Sequence, residues 1–326
     1  MFLKKITYVM AFIALILSGC ANEQEDRAAG LLMPEPIDDQ GWNYEAYQGV
    51  MSAQADRELE MFISEGKTSQ ADIKAKIDAW SEEGVELIIG HSHLYGDHFA
   101  DLHEHYPDTH FVVMNEEVSG DNMTGLHFNG YAMGYFAGML AADSSANEHI
   151  AAIGAFPFQP ELQGFEDGAR YYSSAVQTDI ATIESWMDTE AAERKYDELT
   201  EAGADIFYPA GNGFNVQIIE RVKEDQLHAI GYVGDQIDLG ESVILSSTVQ
   251  KVGYLYEYLL DAFQNDELTN GNHYFDFNDG AVAMGDFGAA VDEETKKWLN
   301  KHVSHYIEHE ELPHESDVDE QLDSDS

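Results

Sequence analysis

The stretch ELIIGHSHLYGDHFADLHEHYPDTHFVVMN, residues 86–115, decides the fold. Its two ends carry short, uninterrupted apolar runs, Glu86–Ile89 and His110–Met114, as strands buried on both faces do. Between them a polar turn leads into an amphipathic segment, 95–104, that reads as a helix. Strand, helix, strand in that order is the unit of a parallel sheet with a crossover. Moving outward, the unit recurs. Further strands are predicted at Leu31–Met33, Leu59–Ile63, His149–Ile153, Asp179–Ile183, Asp205–Tyr208, His228–Tyr232 and Val243–Leu245. Helices are predicted over 44–57, 69–82, 131–142, 161–174, 188–202, 214–224, 249–264 and 292–308. Ser69 is placed to cap a helix whose Ile73, Ile77 and Trp80 share one face. Gly84 and Gly203 sit where a left-handed cap ends a helix before a strand, and Pro160 with Glu161 suits a first helical turn. About nine strands exceed one modest sheet, so the pattern predicts two doubly wound α/β lobes with a cleft between them. The segment 272–308, with Tyr274, Phe275 and Phe277, is expected to return to an earlier lobe.

The chain has 326 residues, with 62 Asp+Glu against 16 Lys+Arg and a formal charge of -46. Such a surface disfavours nucleic acid, whose binding rests on neutralising phosphates, and a polybasic hold on anionic lipid. It repels itself at low ionic strength and suits a salt-rich setting. The beginning, MFLKKITYVMAFIALILSGC, joins Lys4 and Lys5 to an apolar run, Ile6–Leu17, that closes on Leu17-Ser18-Gly19-Cys20. The run is short for a permanent span. Its end looks like a bacterial lipobox, which implies cleavage before Cys20 and lipid on its thiol. Cys20 is the one cysteine of the chain, so that reading leaves no disulfide and no thiol catalyst.

Catalytic motifs are poorly represented. His91, His93, His98, His103, His105 and His110 crowd one stretch without the HExxH spacing of a helical zinc protease. Histidines exposed on a lysine-poor surface are the plainer reading, with a zinc site on His91 and His93 as the competing one. Gly90-His91-Ser92-His93 lacks the second glycine of a nucleophile elbow. The glycines at 211 and 213 complete neither GxGxxG nor a P-loop. No metal, cofactor or enzyme activity is therefore expected.

Binding has better material, because ligands of parallel sheets meet the loops beyond the strands' carboxyl ends. Four such loops carry Asp39-Gln40-Gly41-Trp42-Asn43, Met114-Asn115, Pro209 to Asn215, and Gly234-Asp235-Gln236. Trp42 and Phe214 offer rings for a planar ligand, while Asn43, Asn115, Asp235 and Gln236 offer groups for hydroxyls or ring nitrogens.

The same loops, with Ala46–Gly49, Phe136–Ala142, Pro160–Gly168, Tyr208–Gly213 and Gly231–Gln236, resemble the basic membrane protein family of substrate-binding lipoproteins, also called Bmp or PnrA-like. The resemblance runs from about Leu31 to Leu312 and is nearest to the Med-type members of bacilli. It implies a periplasmic binding protein-like type I fold, with two lobes, three crossings and a ligand between them. It also implies a nucleoside-like small molecule as ligand and an ABC permease as partner. Carried over residue by residue, the ligand-binding positions are Asp39, Trp42, Asn43, Asn115, Phe214, Asp235, Gln236 and Gln250. Three departures stand out: Asn115 and Val233 replace family aspartates, and Gln250 replaces a lysine. A carboxylate on ribose hydroxyls makes charge-assisted bonds that an amide or a valine does not.

The expected organisation is a lipoprotein signal peptide over 1–19 and a tether over 20–30. The first lobe takes 31–128 plus 247–280, the second 129–246 plus 281–309, and an acidic disordered tail covers 310–326. The expected role is an extracytoplasmic solute-binding lipoprotein held to the cell membrane by lipid on Cys20. The alternative is a Med-like sensor or regulator that acts on gene expression without touching DNA.

Overall fold

The computed structural model describes residues 27–37, 41–55, 57 and 59–315. The expected signal peptide, Cys20 and Asp39 lie outside the described residues. Two parallel sheets organise the chain. The first holds β1 (Arg27–Met33), β2 (Leu59–Glu65), β3 (Leu87–Gly90), β4 (His110–Met114), β5 (Met123–Phe128) and, from far along the chain, β11 (Gly271–Phe275). Their order is β11-β5-β4-β3-β1-β2. The second holds β6 (His149–Gly154), β7 (Gln177–Thr182), β8 (Ile206–Ala210), β9 (His228–Val233), β10 (Ile244–Gln250) and β12 (Val282–Met284), in the order β12-β10-β9-β8-β6-β7. The two orders are the same pattern repeated, so β4 corresponds to β9 and β5 to β10. The repeat breaks at the last strand, because β12 runs antiparallel to β10 while β11 runs parallel to β5.

Helices cover both sheets. The first lobe carries α1 (Trp42–Ala55), α2 (Gln70–Glu82) and α3 (Tyr95–Leu102). The second carries α4 (Gly130–Ser144), α5 (Pro160–Tyr172), α6 (Thr189–Ala202) and α7 (Asn215–Glu224). Helix α8 (Val252–Gln264) returns to pack on α1, and α9 (Glu293–His309) packs on α4. Local sequence explains the start of α2. Ser69 caps α2 by accepting from Asp72 N at 3.2 Å, and the helix buries Ile73, Ile77 and Trp80. Burying side chains of that size contributes about 1.5–3 kcal/mol each. Helices α4 and α5 touch backbone to backbone: a Cβ on Gly138 would stand 2.0 Å from the Phe165 carbonyl oxygen. Packing this close explains the glycines in Phe136–Ala142 and Pro160–Gly168.

The chain passes between the lobes after Phe128, after Gln250 and after Phe275. Asn129 N donates to Phe275 O at 2.8 Å and Lys251 N to Ala281 O at 2.8 Å, so all three crossings are tied side by side. Asp276 accepts from Asn129 Nδ2 at 2.6 Å and from the Tyr306 hydroxyl at 2.5 Å, which anchors α9 to the same place.

Several expectations need correction. Strand β1 starts at Arg27, so 27–30 belong to the sheet and not to a tether. Ala28 and Ala29 are buried, and Arg27 pairs with Glu86 at 2.8 Å and Asp266 at 2.9 Å. Strand β10 runs unbroken to Gln250, so the boundary expected between 246 and 247 falls inside it, and 247–250 go with the second lobe. The acidic tail does not begin at 310: Leu312 is buried and the His314 ring stacks on Tyr135 at 5.2 Å. Strands β5, β11 and β12 were not anticipated. In β5, Thr124, Gly125 and His127 interrupt the apolar run, yet the strand is buried because its polar groups find partners. Thr124 Oγ1 donates to Thr269 O at 2.7 Å, and His127 meets Asn272 at 3.3 Å. Among the described residues no helix is long and apolar enough to cross a membrane.

Candidate functional site

A cavity of about 330 Å³ lies between the lobes at the carboxyl ends of their strands. Four of the anticipated residues line it: Trp42, Asn43, Asn115 and Gln250. Trp42 opens α1, and its ring is fixed from behind by His91, which follows β3 and stacks on it at 4.3 Å with an interplanar angle of 13°. Trp42 Nε1 donates to His91 O at 3.0 Å. The Trp42 carbonyl can only accept, so His91 Nε2 carries the proton of their 2.9 Å contact. His91 Nδ1 then accepts from the Tyr256 hydroxyl at 2.9 Å. Burial pushes the His91 pKa down to about 3, so the ring stays neutral. With both nitrogens engaged, His91 has no lone pair left for zinc. It is no surface histidine either, being fully buried.

His93 does reach the cavity, in an aromatic wall with Phe156, Phe158 and Trp186, at centroid distances of 6.1, 5.2 and 6.3 Å. Burial lowers its pKa. The remaining histidines of that stretch serve local structure where their partners are visible. His103 Nδ1 meets Asn122 at 2.7 Å and His110 Nε2 meets Thr124 at 2.8 Å. Among the described residues no three His, Cys, Asp or Glu side chains converge as a metal site would require.

The ends of the corresponding strands β4 and β9 both enter the cavity, at Asn115 and Val233, and both backbones are left-handed, with φ 56° and 69°. Asparagine tolerates this conformation. Its Oδ1 also accepts from Phe128 N at 3.1 Å. For a β-branched valine the same conformation is strained, by about 1–3 kcal/mol.

Three anticipated residues are elsewhere. Phe214 is fully buried in the second lobe's core, its ring so close to Gly211 that a Cβ there would stand 2.0 Å away. Its ring is not open to the cavity. Asp235 and Gln236 lie outside the cavity and hold the turn after β9. Gln236 Oε1 accepts from Tyr232 N at 2.9 Å, and Asp235 Oδ2 accepts from Asp286 N at 2.8 Å. They face a second, more open recess shared with Gly41, Tyr44 and Glu45.

Sequence reading missed the loop after β6, which brings Phe156, Phe158, Gln159 and Glu161 to the cavity. Two phenylalanines beside prolines at a strand's carboxyl end were the available signal. Asn212, noticed only as part of a glycine loop, accepts from Trp42 N at 2.7 Å and so joins the two lobes. Gly41 is needed next to it, because a Cβ would stand 1.9 Å from Asn212 Oδ1.

Residues 27–316 match the family model described as ABC transporter substrate-binding protein PnrA-like. The chain belongs to the PnrA-like family. The family is described as one of substrate-binding proteins, and the type I periplasmic-binding architecture is shared with solute-binding proteins of ABC transporters. The chain is 38% identical to the transcriptional activator protein med of Bacillus subtilis (strain 168), over 94% of this chain and 98% of that one. A crystal structure of a transcriptional activator of the comK gene from Bacillus halodurans superposes with a TM-score of 0.80. The identity there is 40%, over 88% of this chain and 99% of that one. A purine-binding protein of Brucella abortus (strain 2308) is 24% identical over 88% of this chain and 83% of its own length.

Proposed function

We propose that this PnrA-like protein is an extracytoplasmic lipoprotein, anchored through Cys20, that encloses a nucleoside-like solute between its lobes and hands it to an ABC permease. The observation that carries the reading is the interlobe cavity, with the Trp42 indole braced by His91 at 4.3 Å as a platform for a planar ring. Amide groups of Asn43, Asn115 and Gln250 stand around it to read ring nitrogens or hydroxyls. The similarity to a purine-binding protein supports the ligand class. The test is titration calorimetry of the soluble mature chain against nucleosides, nucleobases and sugars in a salt-rich buffer. One nucleoside bound per chain is expected. A folded protein that binds none removes the nucleoside from the proposal.

A second reading has its own support. The relatives that are 38% and 40% identical are both named as activators of transcription. Here the same cavity would report a solute instead of delivering it, and the effect on genes would be indirect, since a charge of -46 repels DNA. Deleting the gene separates the two. Loss of solute uptake with unchanged expression speaks for transport, and the reverse speaks for sensing.

A further inference from the structure

The strand ends at the cavity carry Asn115 and Val233, yet two carboxylates line it, the half-buried Glu35 of the first lobe and Glu161 of the second. Glu161, in the first turn of α5, lines it and is only 5% exposed. Two neutral side chains donate to Oε1, Gln159 Nε2 at 2.8 Å and the Tyr232 hydroxyl at 2.9 Å, and the residue's own backbone N–H also donates to the carboxyl. None brings a charge. Among the described residues no lysine or arginine lines the cavity or pairs with this carboxyl. Burial alone is a cost, and it raises the Glu161 pKa. Oε2 lies beside Gly130, another cavity residue, where a Cβ would stand 2.9 Å away and crowd it. The wall around it is built from Trp42, His93, Phe128, Phe156 and Trp186, whose ring faces tolerate positive charge and repel negative.

We propose that Glu161 is the ligand-reading carboxylate of the cavity, and that it selects a neutral or cationic solute donating hydrogen bonds to Oε2 while excluding anionic ones. The proposal rests on the solute-binding reading above, but not on the solute being a nucleoside. Glu161 stands on the second lobe and Trp42 on the first, so a solute held by both also holds the lobes together.

The test compares the wild-type chain with E161Q by calorimetry against four probes: adenosine, 2′,3′-dideoxyadenosine, adenosine 5′-monophosphate and a short alkyl diamine. Adenosine or the diamine is expected to bind, with the monophosphate at least ~100-fold weaker than adenosine. E161Q is expected to weaken the probe that binds by about 10–100-fold, the size of a lost charge-assisted hydrogen bond. Loss of binding with dideoxyadenosine assigns the donors to the ribose hydroxyls, and retained binding assigns them to the base. Diamine binding lost in E161Q, with no nucleoside bound, removes the nucleoside and upholds Glu161. Adenosine binding unchanged in E161Q upholds the nucleoside and overturns Glu161. A monophosphate bound as tightly as adenosine, or no neutral or cationic probe bound, also overturns the proposal. Where E161Q fails to fold by circular dichroism, Y232F decides. It removes the hydroxyl that steadies the carboxylate, and affinity within twofold of wild type is the overturning result.

Discussion

The backbone amide of Trp42 in the first lobe donates to Asn212 Oδ1 in the second across 2.7 Å. The residue meant to carry a ligand's ring is thus also a latch. Asn212→Ala removes one neutral hydrogen bond, worth about 0.5–1.5 kcal/mol, from the closed arrangement. Small-angle scattering of the ligand-free variant is expected to show a larger radius of gyration than wild type. Identical scattering curves would mean the latch does not set the lobe angle.

Trp42→Ala takes away the stacking platform and leaves His91 facing an empty site. Stacking of a base on an aromatic side chain contributes about 1–3 kcal/mol. Affinity for a bound nucleoside is expected to fall about tenfold or more, read by calorimetry. Asp235→Asn, on the turn outside the cavity, is expected to leave affinity nearly unchanged. The contrast between the two variants checks the assignment of the cavity over the outer recess.

The neutral His91 ring makes the protein sensitive to acid. Its folded pKa of about 3 lies below the ordinary value of 6.5. The unfolded chain therefore takes up a proton that the native state refuses. Stability is full above pH 6.5 and falls below it by about 1.4 kcal/mol per pH unit until the folded pKa is reached. In NMR titrations the His91 ring signals are expected not to move down to roughly pH 4. Titration near neutrality would refute the buried, doubly bonded ring.

Val233→Gly relieves a left-handed valine. Val233 is also buried in the core, so both Val233→Gly and Val233→Ala lose its isopropyl group and destabilise. Only glycine relieves about 1–3 kcal/mol of backbone strain, less about 0.5–1 kcal/mol of glycine entropy. Chemical denaturation is therefore expected to find Val233→Gly about 1 kcal/mol more stable than Val233→Ala, the reverse of the usual order.

Gly138→Ala drives a methyl group into the Phe165 carbonyl between α4 and α5. The expected cost is about 1–3 kcal/mol or more, because backbone cannot step aside as a side chain can. A midpoint in denaturant equal to that of wild type would show that the helices separate freely.

Much of the architecture was legible because it is written locally. Every anticipated strand and helix is present within a few residues, since uninterrupted apolar runs and caps such as Ser69 are near-neighbour signals. The exceptions are instructive. Strand β5 hides behind Thr124 and His127, whose polar groups are satisfied by residues about 145 positions away. The cavity was legible in half. Trp42, Asn43 and Asn115 were placed at it because loops after strands face ligands, and Gln250 only through the family resemblance. Phe214 was misplaced because an aromatic beside glycines looks the same whether it turns toward a cleft or a core. Glu161 was read as a helix-starting acid. Only the approach of Tyr232, 71 residues later, shows that its carboxyl is held at the cavity.

The early start of β1 has a consequence for how the protein meets a partner. With the lipid on Cys20 as proposed, six residues separate the anchor from Arg27, the first residue of the sheet. Even fully extended they reach roughly 20–25 Å. So short a leash confines the folded body to a thin layer above the bilayer, and its excess of acid, 62 Asp+Glu against 16 Lys+Arg, is pushed outward from anionic headgroups. The search for a permease then becomes lateral diffusion in two dimensions at high local concentration. A weak contact between the two would suffice, and shortening or lengthening the leash would tune delivery without changing a single residue of the cavity.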